Sequence, residues 1–235
     1  WILAICLALF MSLSVFIVFV GGILGNELAS SKSLSTLPVA AIVVGTALSI
    51  FPVIRLMSVF GRKTVFLMIC IYSIALLGLS VFAIITGSFL LFCLSSFLLG
   101  ATVATMNQFR FAAIESVSEE QRATATAIVL LGGLVSAYLG PEVATIGKEI
   151  FAINFVGSYI LLGLLFLIAF ILLCFFQPAK KFVEESDQSK RSLIEIMKQS
   201  SFIVAASAAT TGYVVMSFVM TATPISMHVM DGFSL

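Results

Sequence analysis

Seven stretches of this chain are each about 20 residues or longer and almost wholly apolar, which is what an α-helix needs to cross roughly 30 Å of hydrocarbon. They read as residues 2–24, 37–57, 64–87, 89–113, 122–146, 151–176 and 201–225. Inside a bilayer every backbone N–H and C=O must be bonded internally, so only helices and closed barrels are open to such a chain. The runs do not alternate apolar and polar residues as a barrel strand does. The expected fold class is therefore all-α and membrane-integral. Composition agrees, since 61% hydrophobic and 10% charged residues with a mean hydropathy of +1.22 leave far less polar surface than the roughly 25% charged residues of a soluble domain.

Charge gives an orientation. Of the 12 Lys and Arg residues, Arg55, Arg62, Lys63, Arg110, Arg122, Lys180, Lys181, Lys190, Arg191 and Lys198 lie at ends that a cytoplasmic start of span one places inside. Only Lys32 and Lys148 fall outside, a bias that fixes topology by the positive-inside rule. The net charge of +1 is sorted by loop and gives no support for nucleic-acid binding. Cys6, Cys70, Cys93 and Cys174 all fall within apolar spans without Cys-x-x-Cys spacing, so they read as small packing residues and not as metal ligands or disulfide partners. Span one opens on Trp1 with no basic region or small-residue cleavage site; it reads as a span and not a signal peptide, and both ends of the chain read as truncated.

Short connections join spans one to six: Asn26 to Ser35, the basic turn Phe60-Gly61-Arg62-Lys63-Thr64, Thr86-Gly87-Ser88, Glu115 to Arg122, and a turn near Gly147-Lys148. Residues 1–176 are therefore expected to form one six-span bundle. At Gln177-Pro178 the composition turns polar, and residues 177–200 carry Lys180, Lys181, Glu184, Glu185, Asp187, Lys190 and Arg191. This stretch reads as a cytoplasmic linker. Leu193, Ile194, Ile196 and Met197 within it suit either a short amphipathic helix on the membrane face or a mobile tether. Residues 201–235 begin a second, unfinished bundle.

Six spans, a cytoplasmic linker and the start of another bundle resemble the major facilitator superfamily. Its loop between spans two and three has the form Gly-x-x-x-Asp-x-x-Gly-Arg-Lys/Arg, of which Gly61-Arg62-Lys63 is present, while Ile54 and Ser58 stand at the leading glycine and the aspartate. Leu98-Leu99-Gly100-Ala101 is similar to the family's glycine-containing stretch of span four, with Ser96 in place of its arginine. Glu115 and Glu119-Glu120-Gln121-Arg122-Ala123 resemble the loop that follows. Leu139-Gly140-Pro141 matches the Gly-Pro of a span-five motif common in the family's antiporters, with Ser136 and Ala144 replacing two of its glycines. The resemblance implies a fragment of a 12-span carrier whose gate involves Gly61, Arg62, Lys63, Glu115, Arg122, Gly140 and Pro141.

Polar residues inside spans are the candidate solute or ion ligands, because each is costly in hydrocarbon unless it has a partner or water. Glu142 lies about 30 Å along span five from Arg122 at 1.5 Å per residue. Tyr138 and Thr145 share its face, and Gly133, Ala137, Gly140 and Ala144 make a separate small-residue stripe suited to close packing. Two readings of Glu142 are open: a carboxylate in a central cavity that exchanges a proton or meets a cationic solute, and an interfacial carboxylate at the wet end of a helix. Asn107, Gln108 and Arg110 end span four. Arg110 suits anchoring an anionic group, closing a gate against Glu115, or snorkelling to the interface; Asn107 and Gln108 suit a cavity or interhelical hydrogen bonds. In span seven, Tyr213, Met216, Met220 and Thr223 recur at helical spacing, as a solute platform or as packing. Thr223-Pro224 would weaken the helix, and His228 and Asp231 fall beyond it.

The resulting expectation is a secondary active transporter of a small solute, working by alternating access between pseudo-symmetric halves. The alternative is a non-transporting membrane receptor or assembly protein with a carrier's fold, which fold analogy alone does not separate from it. The expected partners are a small-molecule solute, protons or another coupling ion, and the lipid bilayer. No nucleic acid, metal, cofactor or enzymatic constellation is expected. The carrier is expected to be a monomer in a bacterial-type inner (plasma) membrane with its amino terminus cytoplasmic.

Overall fold

The computed structural model describes residues 1–177, 195 and 197–226. They fall into two compact units that divide between Lys180 and Lys181. The first holds α1 (Ile2–Leu28), α2 (Leu37–Phe60), α3 (Arg62–Ile85), α4 (Phe89–Met106), α5 (Phe109–Glu115), α6 (Arg122–Gly147) and α7 (Val156–Phe175); the second holds α8 (Ser200–Ile225). Seven of the described helical segments are long and apolar enough to cross a membrane, with α4 and α5 in series as one of them. Pro178 to Ile194, Ile196, His228 and Asp231 lie outside the described residues, and with them most of the expected linker.

The boundaries have local causes. Pro38 sits in the first turn of α2, where its missing N–H costs nothing. At the end of α3 the Gly87 N–H donates to the Ile84 carbonyl (3.1 Å) and the Ser88 N–H to the Ala83 carbonyl (2.9 Å). This is the paired bonding of a glycine-terminated helix, with Gly87 at φ +65°. The sixth span starts at Val156 and not at residue 151, because residues 148–155 form a loop closed by the Phe155 N–H on the Lys148 carbonyl (3.0 Å). Phe155 is left-handed (φ 66°) and its ring is buried. Ile150, Phe151 and Ile153 are exposed; they lengthen the apolar run without being helical.

Packing in the first unit is mostly non-sequential: α1 lies chiefly on α6, α2 on α4, and α3 on α7. Two of these contacts run through glycines. A Cβ at Gly132 would meet the Ala4 carbonyl oxygen at 2.6 Å, and one at Gly140 the Val15 Cβ at 2.8 Å, so α6 touches α1 backbone to backbone. Gly45 and Gly100 do the same where α2 crosses α4, each with no room for a side chain beside the other helix's main chain. The packed face of α6 is Gly132, Ser136, Gly140, Ala144 and Gly147. The expected stripe is corrected by this: Gly133 meets only the Met11 side chain at ordinary contact distance and Ala137 is exposed, because they lie one residue off the face that α1 covers.

Between α3 and α4 the contact is polar. Ser73 and Thr102 share a hydrogen bond (2.7 Å), the Ser80 hydroxyl donates to Ser95 (2.9 Å), and the Tyr72 hydroxyl donates to the Leu98 carbonyl (3.1 Å). Such bonds between spans are each worth about 0.6–2 kcal/mol. Two aromatic clusters fill the middle. Phe66 stacks on Phe109 (4.2 Å between centroids), with Phe10 against Phe109 and Phe166. Farther along, Tyr159 meets Phe16 and Phe92 edge-on.

Candidate functional site

The basic turn is built by one residue's backbone. Gly61 has φ 81° and ψ 155°, a region that is essentially closed to any residue with a Cβ. Nothing lies within 4 Å of where that Cβ would be, so the glycine is required by conformation and not by crowding. It ends α2 and caps α3, which sends the next two side chains in different directions.

Arg62 reaches α5. Its Nε donates to Glu115 Oε2 (2.8 Å), its Nη2 to Glu115 Oε1 (2.6 Å), and its Nη1 to Gln108 Oε1 (3.4 Å). The fork-on-fork geometry suits a guanidinium and a carboxylate. Exposure of 27% for Arg62 and 59% for Glu115 keeps the pair's worth near the roughly 1 kcal/mol of surface ion pairs. Lys63 turns the other way and donates from Nζ to the Cys174 carbonyl (2.8 Å). It thereby bonds one of the last carbonyls of α7 and sits at the negative end of that helix's dipole.

Glu115 thus pairs with Arg62 and not with Arg110. The Arg110 guanidinium lies over the Phe111 ring (4.9 Å). Arg122 pairs with Glu119 (2.8 Å) within its own loop. Span four is broken at Asn107-Gln108. Asn107 spends its amide on the Val103 carbonyl (3.3 Å), while Gln108 faces Arg62, so the structure places these two in different surroundings. No sequence signal of the usual kind marks the break, for neither glycine nor proline is there.

In α6, Glu142 is half-buried beside the helix's internal Pro141 and makes no ion pair among the described residues. Tyr138, one turn earlier, is exposed on the same helix face as Glu142. The Thr145 hydroxyl bonds back to the carbonyls of Pro141 and Glu142 (both 3.1 Å). Tyr138 and Glu142 thus share a face of α6, while Thr145 is turned onto its own helix. In the second unit, Tyr213, Met216, Met220 and Thr223 all lie on α8, and the Thr223 hydroxyl bonds the Val219 carbonyl (2.8 Å).

A cavity of about 410 Å³ opens in the first unit between Ile2, Ala113, Ser116, Ile128 and Phe176. Its lining is apolar and includes none of the expected solute ligands. Cys6, Cys70 and Cys93 are buried free thiols, and Cys174 is free and exposed.

The family model described as Major Facilitator Superfamily matches residues 1–235. The chain belongs to that superfamily. It is 33% identical over 232 residues to the riboflavin transporter RfnT of Brucella anthropi, a match covering 96% of this chain and 58% of that protein. Two uncharacterized MFS-type transporters of Bacillus subtilis, YddS and YdeG, are 28% and 27% identical over 228 residues, covering 88% and 90% of this chain and 51% and 53% of theirs. The chain thus spans about half the length of the curated relatives it matches. No solved structure matches it significantly. The turn at Gly61 joins spans two and three, and Gly132 and Gly140 lie where span five meets span one.

Proposed function

We propose that the complete protein is a secondary active transporter that moves a small solute by alternating access. Residues 1–176 would be its first six-span half, 177–200 the linker and 201–235 the opening of the second half. The observation that carries this reading is the 33% identity to a riboflavin transporter across nearly the whole chain. It makes a vitamin with a flat heteroaromatic ring the first solute to test. Uptake of labelled riboflavin into vesicles containing the full-length protein, compared with vesicles lacking it, is the direct test. Equal uptake in both, across riboflavin and related ring compounds, would overturn the assignment of solute class.

Glu142 is the candidate coupling group. A carboxylate inside a span is costly unless it meets water, a partner or a proton, and Glu142 has no cationic partner among the described residues. Glu142→Gln keeps the shape and removes the titration. Uptake driven by an imposed pH gradient should then fail while equilibrium exchange of solute persists. Equal loss of both would assign Glu142 a structural or solute-binding role, and loss of neither would remove it from the mechanism. The orientation of the bundle, with the basic turn cytoplasmic, rests on the charge bias of the loops.

A further inference from the structure

We propose that Gln108 is a positioning residue that ties the basic turn to the end of span four. The Arg62 guanidinium has three nitrogens to satisfy; Glu115 takes two, and the remaining Nη1 has Gln108 Oε1 as its acceptor. Ser58, the nearest polar side chain before the turn, spends its hydroxyl on the Arg55 carbonyl (2.8 Å). Gln108 and Glu115 are seven residues apart, two helical turns, and so share one face of α5. Arg62 therefore holds that short helix at both its start and its end.

The main chain makes this bond consequential. Gln108 stands at the break: its N–H donates to the Thr105 carbonyl (2.9 Å), closing α4, and its carbonyl accepts from the Ala112 N–H (3.0 Å), opening α5. On one side of the break, α4 is locked to α2 through Gly100 and Gly45. On the other side, α5 packs its backbone on α6 and α1 and reaches α3 through side chains, the Phe109–Phe66 stack and the Arg62 cluster. Gln108 is the member of that cluster whose own backbone sets the angle between α4 and α5. Removing its side chain frees one edge of Arg62 and loosens the turn, leaving the guanidinium anchored at the Glu115 end of α5 alone.

The test uses the full-length protein in detergent, with Cys174→Ser removing the exposed native thiol and Met57→Cys placing a buried reporter in the last turn of α2, beside the turn. The rate of labelling by a maleimide is measured for the parent and for Gln108→Leu, Gln108→Asn and Gln108→Glu, alongside thermal unfolding. Loss of one hydrogen bond to a partly exposed charge corresponds to about a threefold to fivefold faster labelling. Leu and Asn should show that increase, Asn being one methylene too short, and Glu should label at the parent rate or below. Rescue by Glu separates positioning from mere packing, since Glu fills the same volume as Gln and keeps an acceptor there. Equal rates in the parent and Gln108→Leu, or a Glu variant as fast as Leu, would overturn the proposal. Labelling needs no transported solute, so failure of the transport reading would show in vesicle flux and leave this measurement intact.

Discussion

Gly100→Ala places one methyl at the crossing of α2 and α4, and the structure fixes its cost. The new Cβ would sit 2.7 Å from Gly45 Cα and closer still to the Gly45 carbonyl carbon and the Thr46 nitrogen, where ordinary contact begins near 3.4 Å. All three neighbours are backbone, so no side chain can swing aside and the helices must part by about 1 Å. A gap of that size forfeits about a quarter to a half of the dispersion energy of the atoms that line it. Overpacking costs typically about 1–3 kcal/mol, and with only backbone to move this crossing falls in the upper part of that range, about 2–3 kcal/mol. Alanine gains back roughly 1 kcal/mol of helix propensity over glycine, which leaves a net loss of about 1–2 kcal/mol. Gly78→Ala is the matched control, since nothing lies within 4 Å of its added Cβ and only the propensity gain of about 1 kcal/mol remains. Thermal unfolding of the full-length protein in detergent should therefore move in opposite directions, Gly100→Ala downward and Gly78→Ala upward, by a few degrees each. If the two variants unfold at the same temperature, the backbone contact between α2 and α4 is not as close as described.

Gly61→Asn should disable solute flux, because φ 81° with ψ 155° lies outside the left-handed region that asparagine tolerates; the strain is about 1–3 kcal/mol, and full flux in the Asn variant would show that the turn relaxes freely. Tyr159→Phe should leave unfolding unchanged or raise its temperature, since the fully buried Tyr159 hydroxyl has no partner among the described residues and an unpaired buried hydroxyl costs about 1–3 kcal/mol; marked destabilisation would reveal a bond the phenol makes. Cysteines introduced at Lys32 or Lys148 should react with an impermeant reagent outside intact cells and one at Glu120 should not. The reverse pattern would invert the orientation.

The spans were legible in the sequence because hydrocarbon leaves a backbone few choices: residues 37–60, 62–85 and 122–147 are helices within three residues of where their apolar runs placed them. The resemblance carried by Gly61-Arg62-Lys63 and Gly140-Pro141 was likewise legible, since a turn closed to every other residue and a crossing that excludes a side chain each demand glycine. Which partner each polar side chain takes was not. Glu115 offers the sequence two arginines, Arg110 five residues away and Arg62 fifty-three away, and proximity along the chain favours the wrong one. The choice belongs to the packing of α5, which lays Gln108 and Glu115 along one face toward the first turn of α3. In the same way Lys63 reads as a topology signal alone until the fold brings the Cys174 carbonyl to its ammonium. Composition and periodicity determine which segments enter the membrane and how many times; only the tertiary structure, by setting where helices distant in sequence cross, decides which charges find each other at their ends.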